Sequence, residues 1–254
     1  MAEDAATIKS RRIGRKWAVM FAAEDATAFL PVVDEVHDTL LGTSSSMDQS
    51  EDHSYGTVTR AVRAAYEQEF TERFFREHLS RFGYASIAEW RQTGFAEMGK
   101  DLYHQYAAAL AKYDLGLELL GYGFNQLGNG FIFEVANPGK VISHNLRGYA
   151  AIGSGSLMAL AALNRKPKTD RLTETIYRLL DAKISSETAR DVGKTTYVIV
   201  LGSDGTFRLM KQPVIEKLRE IWLEEQRQPD PSEALDMIEA SDSYKIRKPN
   251  EPPA

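Results

Sequence analysis

The sequence predicts an α+β fold with antiparallel sheets, and three observations lead there. Strand-type runs stand early, midway and late, at Trp17–Ala23, Phe131–Val135 and Thr195–Leu201. Long amphipathic helical stretches lie in groups between them. Turn signatures join neighbouring strands, at Asn137-Pro138-Gly139 and Gly202-Ser203-Asp204-Gly205. Helices grouped between hairpins point to layered α+β packing, whereas strict strand–helix alternation would point to a wound parallel sheet.

The basic run Lys9-Ser10-Arg11-Arg12-Ile13-Gly14-Arg15-Lys16 reads as a charged strand edge and turn. Trp17–Ala23 is apolar and too short for a helix, so it is a buried strand. Glu24-Asp25 then opens a helix, because acidic groups suit its positive end. Phe29, Leu30, Val33, Val36 and Leu40 give that helix an apolar face, and Gly42 ends it. Val58, Val62, Tyr66, Phe70 and Phe74 recur every four residues, the clearest helical stripe in the chain. Ser86 with Glu89 forms a capping box for a helix reaching about Lys112, with Gly94 and Gly99 as weak points.

Leu115–Phe124 alternates loosely as a strand. Phe131–Val135 and Val141-Ile142-Ser143 flank the Pro-Gly turn as a hairpin. A small-residue helix runs from Leu157 to Leu163. Thr169-Asp170 caps the next, with Leu172, Ile176, Leu179 and Leu180 facing inward. Thr206–Met210 pairs back on Thr195–Leu201, and Pro213 starts a final helix. This gives one domain over residues 1–227, with a helical insertion around 43–110. From Gln228 the chain is rich in Pro, Asp, Glu and Ser, and residues 228–254 read as a flexible tail.

Composition narrows the chemistry. The 254 residues are 43% hydrophobic and 26% charged, an ordinary globular balance. The absence of cysteine excludes disulfides, thiolate metal sites and cysteine nucleophiles. A net charge of −5 argues against a nucleic-acid partner. No apolar stretch is long enough to span a membrane, and the acidic start Met-Ala-Glu-Asp lacks a secretory core, so the expected location is cytoplasmic. His37, His53, His78, His104 and His144 are scattered, so no metal site is proposed. Gly121-Tyr122-Gly123 and Gly128-Asn129-Gly130 lack the Gly-Lys-Ser/Thr of a phosphate loop, and no cofactor is expected.

Phe131 to Gly139, followed by Tyr149-Ala150-Ala151-Ile152-Gly153-Ser154-Gly155-Ser156 and the small-residue helix, resembles the second half of a proteasome β-subunit, a family of N-terminal-nucleophile hydrolases. The resemblance runs from about Lys9 to Leu223. It implies a four-layer αββα sandwich, threonine-type hydrolysis of peptide bonds, a peptide or protein substrate, and homo-oligomeric, ring-like assembly. In that family the first residue of the processed chain is the nucleophile and its own α-amine the base. By this resemblance Lys9 matches the lysine that holds the nucleophile's pKa down. Asp4 matches the acidic residue, Ser154 the motif serine, Asp191 the supporting aspartate, and Ala23, in the Ala22-Ala23 pair, the oxyanion donor. Lys194 departs from the serine that the family carries three residues after its aspartate.

The nucleophile itself has no match. Thr7 is the one early threonine and stands two residues from Lys9, too close to face it. The expectation is therefore an N-terminal hairpin that is missing or incomplete, and a chain that is inactive as spelled. The alternative is a non-catalytic structural or binding homologue. Each residue also has an ordinary reading. Lys9 can be a surface lysine, Ser154 a cap for the helix that follows it, and Asp191 a plain loop residue.

Overall fold

A computed structural model of the chain describes residues 9–23, 25–42, 52–165, 169, 171–225 and 232–241. Five strands form one antiparallel sheet in chain order: β1 (Ser10–Gly14), β2 (Trp17–Ala23), β3 (Leu117–Phe124), β4 (Gly130–Ala136) and β5 (Lys140–Ser143). β2 and β3 pair along their whole length, with Trp17 opposite Gly123 and Ala22 opposite Glu118. Two short strands, β6 (Ile199–Leu201) and β7 (Phe207–Leu209), make a separate antiparallel pair. The mixed helical and antiparallel content is that of an α+β protein.

One face of the large sheet lies under α1 (Phe29–Leu41) and α2 (Tyr55–Phe74). Strand alternation decides which residues go there. Trp17, Val19 and Phe21 on β2, Leu117 and Leu119 on β3, and Phe133 and Val135 on β4 join Val32, Val36, Val58, Val62 and Tyr66 in one core. Tyr66 donates its hydroxyl to the Leu117 carbonyl at 2.8 Å and Trp17 its indole N–H to the His53 carbonyl at 3.1 Å, which satisfies these two polar tips of the core. Burial pushes the Tyr66 phenol well above its ordinary range.

A second core gathers around the small sheet. Ile176, Leu180 and Ile184 of α6 (Leu172–Ser186), Ile215, Leu218 and Ile221 of α7 (Gln212–Glu225), and Ala234 and Ile238 of α8 (Ser232–Ala240) pack with Val200 and Met210. The hairpin tips of the two sheets touch. Arg12 donates to the Gly205 carbonyl at 3.1 Å and Arg15 to the Asp204 carbonyl at 3.5 Å. α5 (Ser156–Asn164) packs on α6 through Ala162, Leu163 and Ala182.

Several elements differ from the sequence reading. The helix expected to run to Lys112 is two, α3 (Ile87–Met98) and α4 (Lys100–Lys112), broken at Gly99, whose φ of 78° no helix accommodates. Its start is as expected, with Ser86 accepting from the Glu89 N–H and Glu89 from the Ala85 N–H. Leu30, Leu172 and Leu179 are exposed, and Val32 takes the inward place on α1. α6 begins after Arg171, where no side chain caps it; the Thr169 hydroxyl accepts from the Arg171 N–H, and Asp170 lies outside the described residues. Within the stretch read as a tail, α8 closes the second core, because Ala234 and Ile238 sit one helical turn apart on a single apolar side.

Candidate functional site

The second face of the large sheet carries the alternate residues. Ala18, Met20 and Ala22 of β2 stand opposite Tyr122, Leu120 and Glu118 of β3. Ser10, paired with Met20, bonds the Tyr122 hydroxyl at 3.1 Å, so β1 joins this face through Ser10. Burial raises the Tyr122 phenol, and the Ser10 hydrogen bond opposes that rise.

The loop after β5 returns across this face. Gly153 has a φ of 82°, and a Cβ there would meet the Ala22 Cβ at 2.9 Å. Only glycine allows both the conformation and the approach. The Gly153 N–H donates to Glu118 Oε2 at 2.6 Å. The Ser156 N–H donates to the Gly153 carbonyl at 3.0 Å and closes a turn with Ser154 and Gly155 at its centre. Gly155 meets the other side: a Cβ there would lie 2.8 Å from the Ser186 Cβ and 3.0 Å from Val192 Cγ2. The Gly153–Gly155 turn is thus wedged between the end of β2 and the loop that begins where α6 ends.

That second loop is held by directed bonds. Lys183 Nζ donates to the Gly193 carbonyl at 2.6 Å, and Arg219 Nη2 to the Lys194 carbonyl at 2.8 Å. Gln212 donates to the Thr196 carbonyl at 3.0 Å. Glu187 sits between the two cations, bonded by Lys183 at 2.7 Å and by Arg219 at 2.6 and 2.7 Å. Burial works against its charge, but the hydrogen bonds from Arg219 and Lys183 win and hold its carboxyl below the usual range. Beside the loop, Thr196, Gln212, Ile215 and Arg219 help line an open pocket of about 250 Å³.

The residues singled out from sequence fall unevenly on this geometry. Ala22, the turn that carries Ser154, and Val192 beside Asp191 are brought to one neighbourhood by the wedge of glycines, whereas Ala23, the expected oxyanion donor, packs against the helix-side core. Ser154 is exposed and does not cap the following helix: the N-cap of α5 is Gly155, with no side-chain cap bond. Asp191 adopts a φ of 66°, its side chain is 78% exposed, and it pairs with Arg190 at 3.6 Å. Lys9 accepts the Phe21 N–H at its carbonyl and so stands opposite Phe21. Phe21 faces the helices, stacked on Phe29 at 4.0 Å. Directly opposed residues share a face, so Lys9 belongs to the helix-covered side and Ser10 to the side of the Ser154 turn. Asp4 and Thr7 lie outside the described residues.

Sequence reasoning passed over Glu118. Its one legible signal is parity, since it alternates with Leu117 and Leu119 and must face away from the helices. Just past Ala23, Asp25 caps a short 3-10 turn by accepting from the Thr27 N–H at 2.9 Å, and Arg73 of α2 bonds it at 2.7 Å. No group of three or more His, Asp or Glu among the described residues is arranged to hold a metal ion. No described helix is long and apolar enough to cross a membrane.

The fold and this site define an α+β protein with a glycine-walled turn between the end of β2 and the loop at the end of α6. Compared with known proteins, the chain matches no family model and no curated protein sequence.

Proposed function

We propose that this chain is a relative of the proteasome β-subunits, built on the four-layer αββα sandwich of the N-terminal-nucleophile hydrolases. The observation that carries this reading is the wedge of Gly153 and Gly155 between Ala22 and the Ser186–Val192 segment. Two stretches far apart in sequence that resemble that family, Ala22 and the Gly153–Ser156 turn, meet there, next to Val192, the chain neighbour of Asp191. The helical cover is compatible with it: α1 and α2 lie on the large sheet, α6 to α8 pack with the small one, and the hairpin tips of the two sheets meet through Arg12 and Arg15. The family chemistry is threonine-type hydrolysis of peptides by a ring-like homo-oligomer, without a cofactor.

A second reading, a non-catalytic structural or binding member of the same fold, is favoured by the site's own details. Lys9 stands opposite Phe21, so alternation puts it on the helix side of the sheet and not on the side of the Ser154 turn. Asp191 is solvated and paired with Arg190, not turned inward to orient a terminus. Lys194 replaces a serine. The polypeptide Met1 to Ala254 is accordingly expected to leave fluorogenic peptides intact. Turnover that Lys9→Ala abolishes would overturn the second reading. Mass spectrometry of the native N-terminus separates the two: a processed Thr, Ser or Cys ahead of β1 assigns the hydrolase, and Met1 or Ala2 assigns the binding homologue.

A further inference from the structure

We infer that Glu118 is the positioning residue of the Ser154 turn. The inference rests on the reading above for the importance of Ser154, but the contact stands without it. β3 has no choice about the direction of Glu118, because Leu117 and Leu119 are committed to the core under α1 and α2. Glu118 therefore lies on the face that the loop after β5 must cross, beside its cross-strand partner Ala22.

The turn needs an anchor there. Gly153 is pressed against Ala22, where its N–H points at a sheet whose own backbone groups are already paired from β2 to β4. A backbone donor in such a place must find a side-chain acceptor or water. Glu118 Oε2 meets it at 2.6 Å, a charge-assisted bond stronger than a neutral one. Gly155 packs against Ser186 and Val192, and its carbonyl accepts the Ala159 N–H of α5 at 3.0 Å, so its bond runs to the helix and not to the sheet. Glu118 thus supplies the directed link between the sheet and the turn, and it determines how Ser154 is presented. Ser154 itself is exposed and spends no bond on capping α5.

The test is amide hydrogen exchange and proton chemical shift, read by NMR on the ¹⁵N-labelled full chain. In Glu118→Leu, exchange at Gly153 should rise tenfold or more, while Met20 and Leu120 in the β2–β3 ladder change by less than about twofold. Glu118→Gln keeps a carbonyl acceptor and the polar strand face. It should keep Gly153 protected but move its amide proton upfield, as the charge on the acceptor is lost. Unchanged exchange in Glu118→Leu overturns the inference, as does a rise shared equally by the ladder. If Glu118→Leu does not fold, an unmoved Gly153 proton in Glu118→Gln overturns it alone. A negative peptidase assay bears on the hydrolase reading and leaves these spectra untouched.

Discussion

Asp25 shows how a single side chain fixes the corner that follows the candidate oxyanion position. Hydrogen bonds from the Thr27 hydroxyl and N–H, then from Arg73, lower its carboxyl from the ordinary value to about 2. A group whose pKa is depressed on folding stabilises the protein above its unfolded value and loses that contribution as pH falls through the folded one. The contribution of Asp25 should therefore be complete above about pH 5 and fade between about pH 4 and 2. Its side chain is 54% exposed, so the effect stays within about 1 kcal/mol. Asp25→Asn should lower the urea midpoint slightly at pH 7, and the gap to the parent should close by about pH 2. A gap that stays constant across that range would show that the charge is not what holds the corner. Glu69, 3% exposed, receives Arg73 and Arg76 at 3.0 and 3.2 Å, so the same arginine ties this corner to a buried carboxylate on α2.

At the scale of elements, the β2–β3–β4 ladder is built around two missing side chains. A Cβ on Gly121 would lie 2.2 Å from Phe133 Cζ, and a Cβ on Gly123 would lie 2.2 Å from the Lys16 carbonyl oxygen. The two clashes differ in kind, since the first meets the Phe133 ring, whereas the second meets backbone together with the Trp17 ring at 2.7 Å. Gly121→Ala should cost about 1–3 kcal/mol, the usual range for overpacking. Combined with Phe133→Leu it should cost clearly less than the sum of the two single changes. Gly123→Ala should cost at least as much and gain nothing from Phe133→Leu. Equal additivity in both double mutants, read from urea melts, would remove this account of the ladder.

Much of that level was legible in the sequence. The β4–β5 hairpin, α2 and the capping box at Ser86 come from short-range signals: β-prone runs on either side of a Pro-Gly turn, a four-residue stripe, and a serine three residues before a glutamate. What was not legible depends on partners distant in the chain. Leu179 reads as inward on helical spacing, but α6 is covered by α7 and α8 on another side and leaves it exposed. Glu118 looks like any polar residue alternating in a strand until the loop from residue 35 positions further on lays the Gly153 N–H across it. Lys9 invites pairing with a catalytic site by its place in the chain, while register against Phe21 assigns its face.

For the whole molecule, the question is where the folded unit ends. Composition after Gln228 is that of a solvated tail, yet Ala234 and Ile238 are fully buried in the core that also holds Leu180, Leu218 and Ile221. The segment is mostly polar because only one side of α8 is covered; a nine-residue helix needs few apolar residues to dock. Arg171 adds a bond to Glu239 at 3.2 Å, but this pair is exposed and worth little beside the burial. Ile238→Ala should therefore cost about 2–5 kcal/mol, as for other buried large-to-small changes. A chain stopped after residue 227 should lose at least as much, because it uncovers Leu180, Leu218 and Ile221 together. The large sheet under α1 and α2 has its own core, so Gly153 and the β2–β3 ladder should keep native chemical shifts in Ile238→Ala under conditions where it remains folded. A truncated chain that melts with the parent would return residues 232–240 to the tail that their composition suggests.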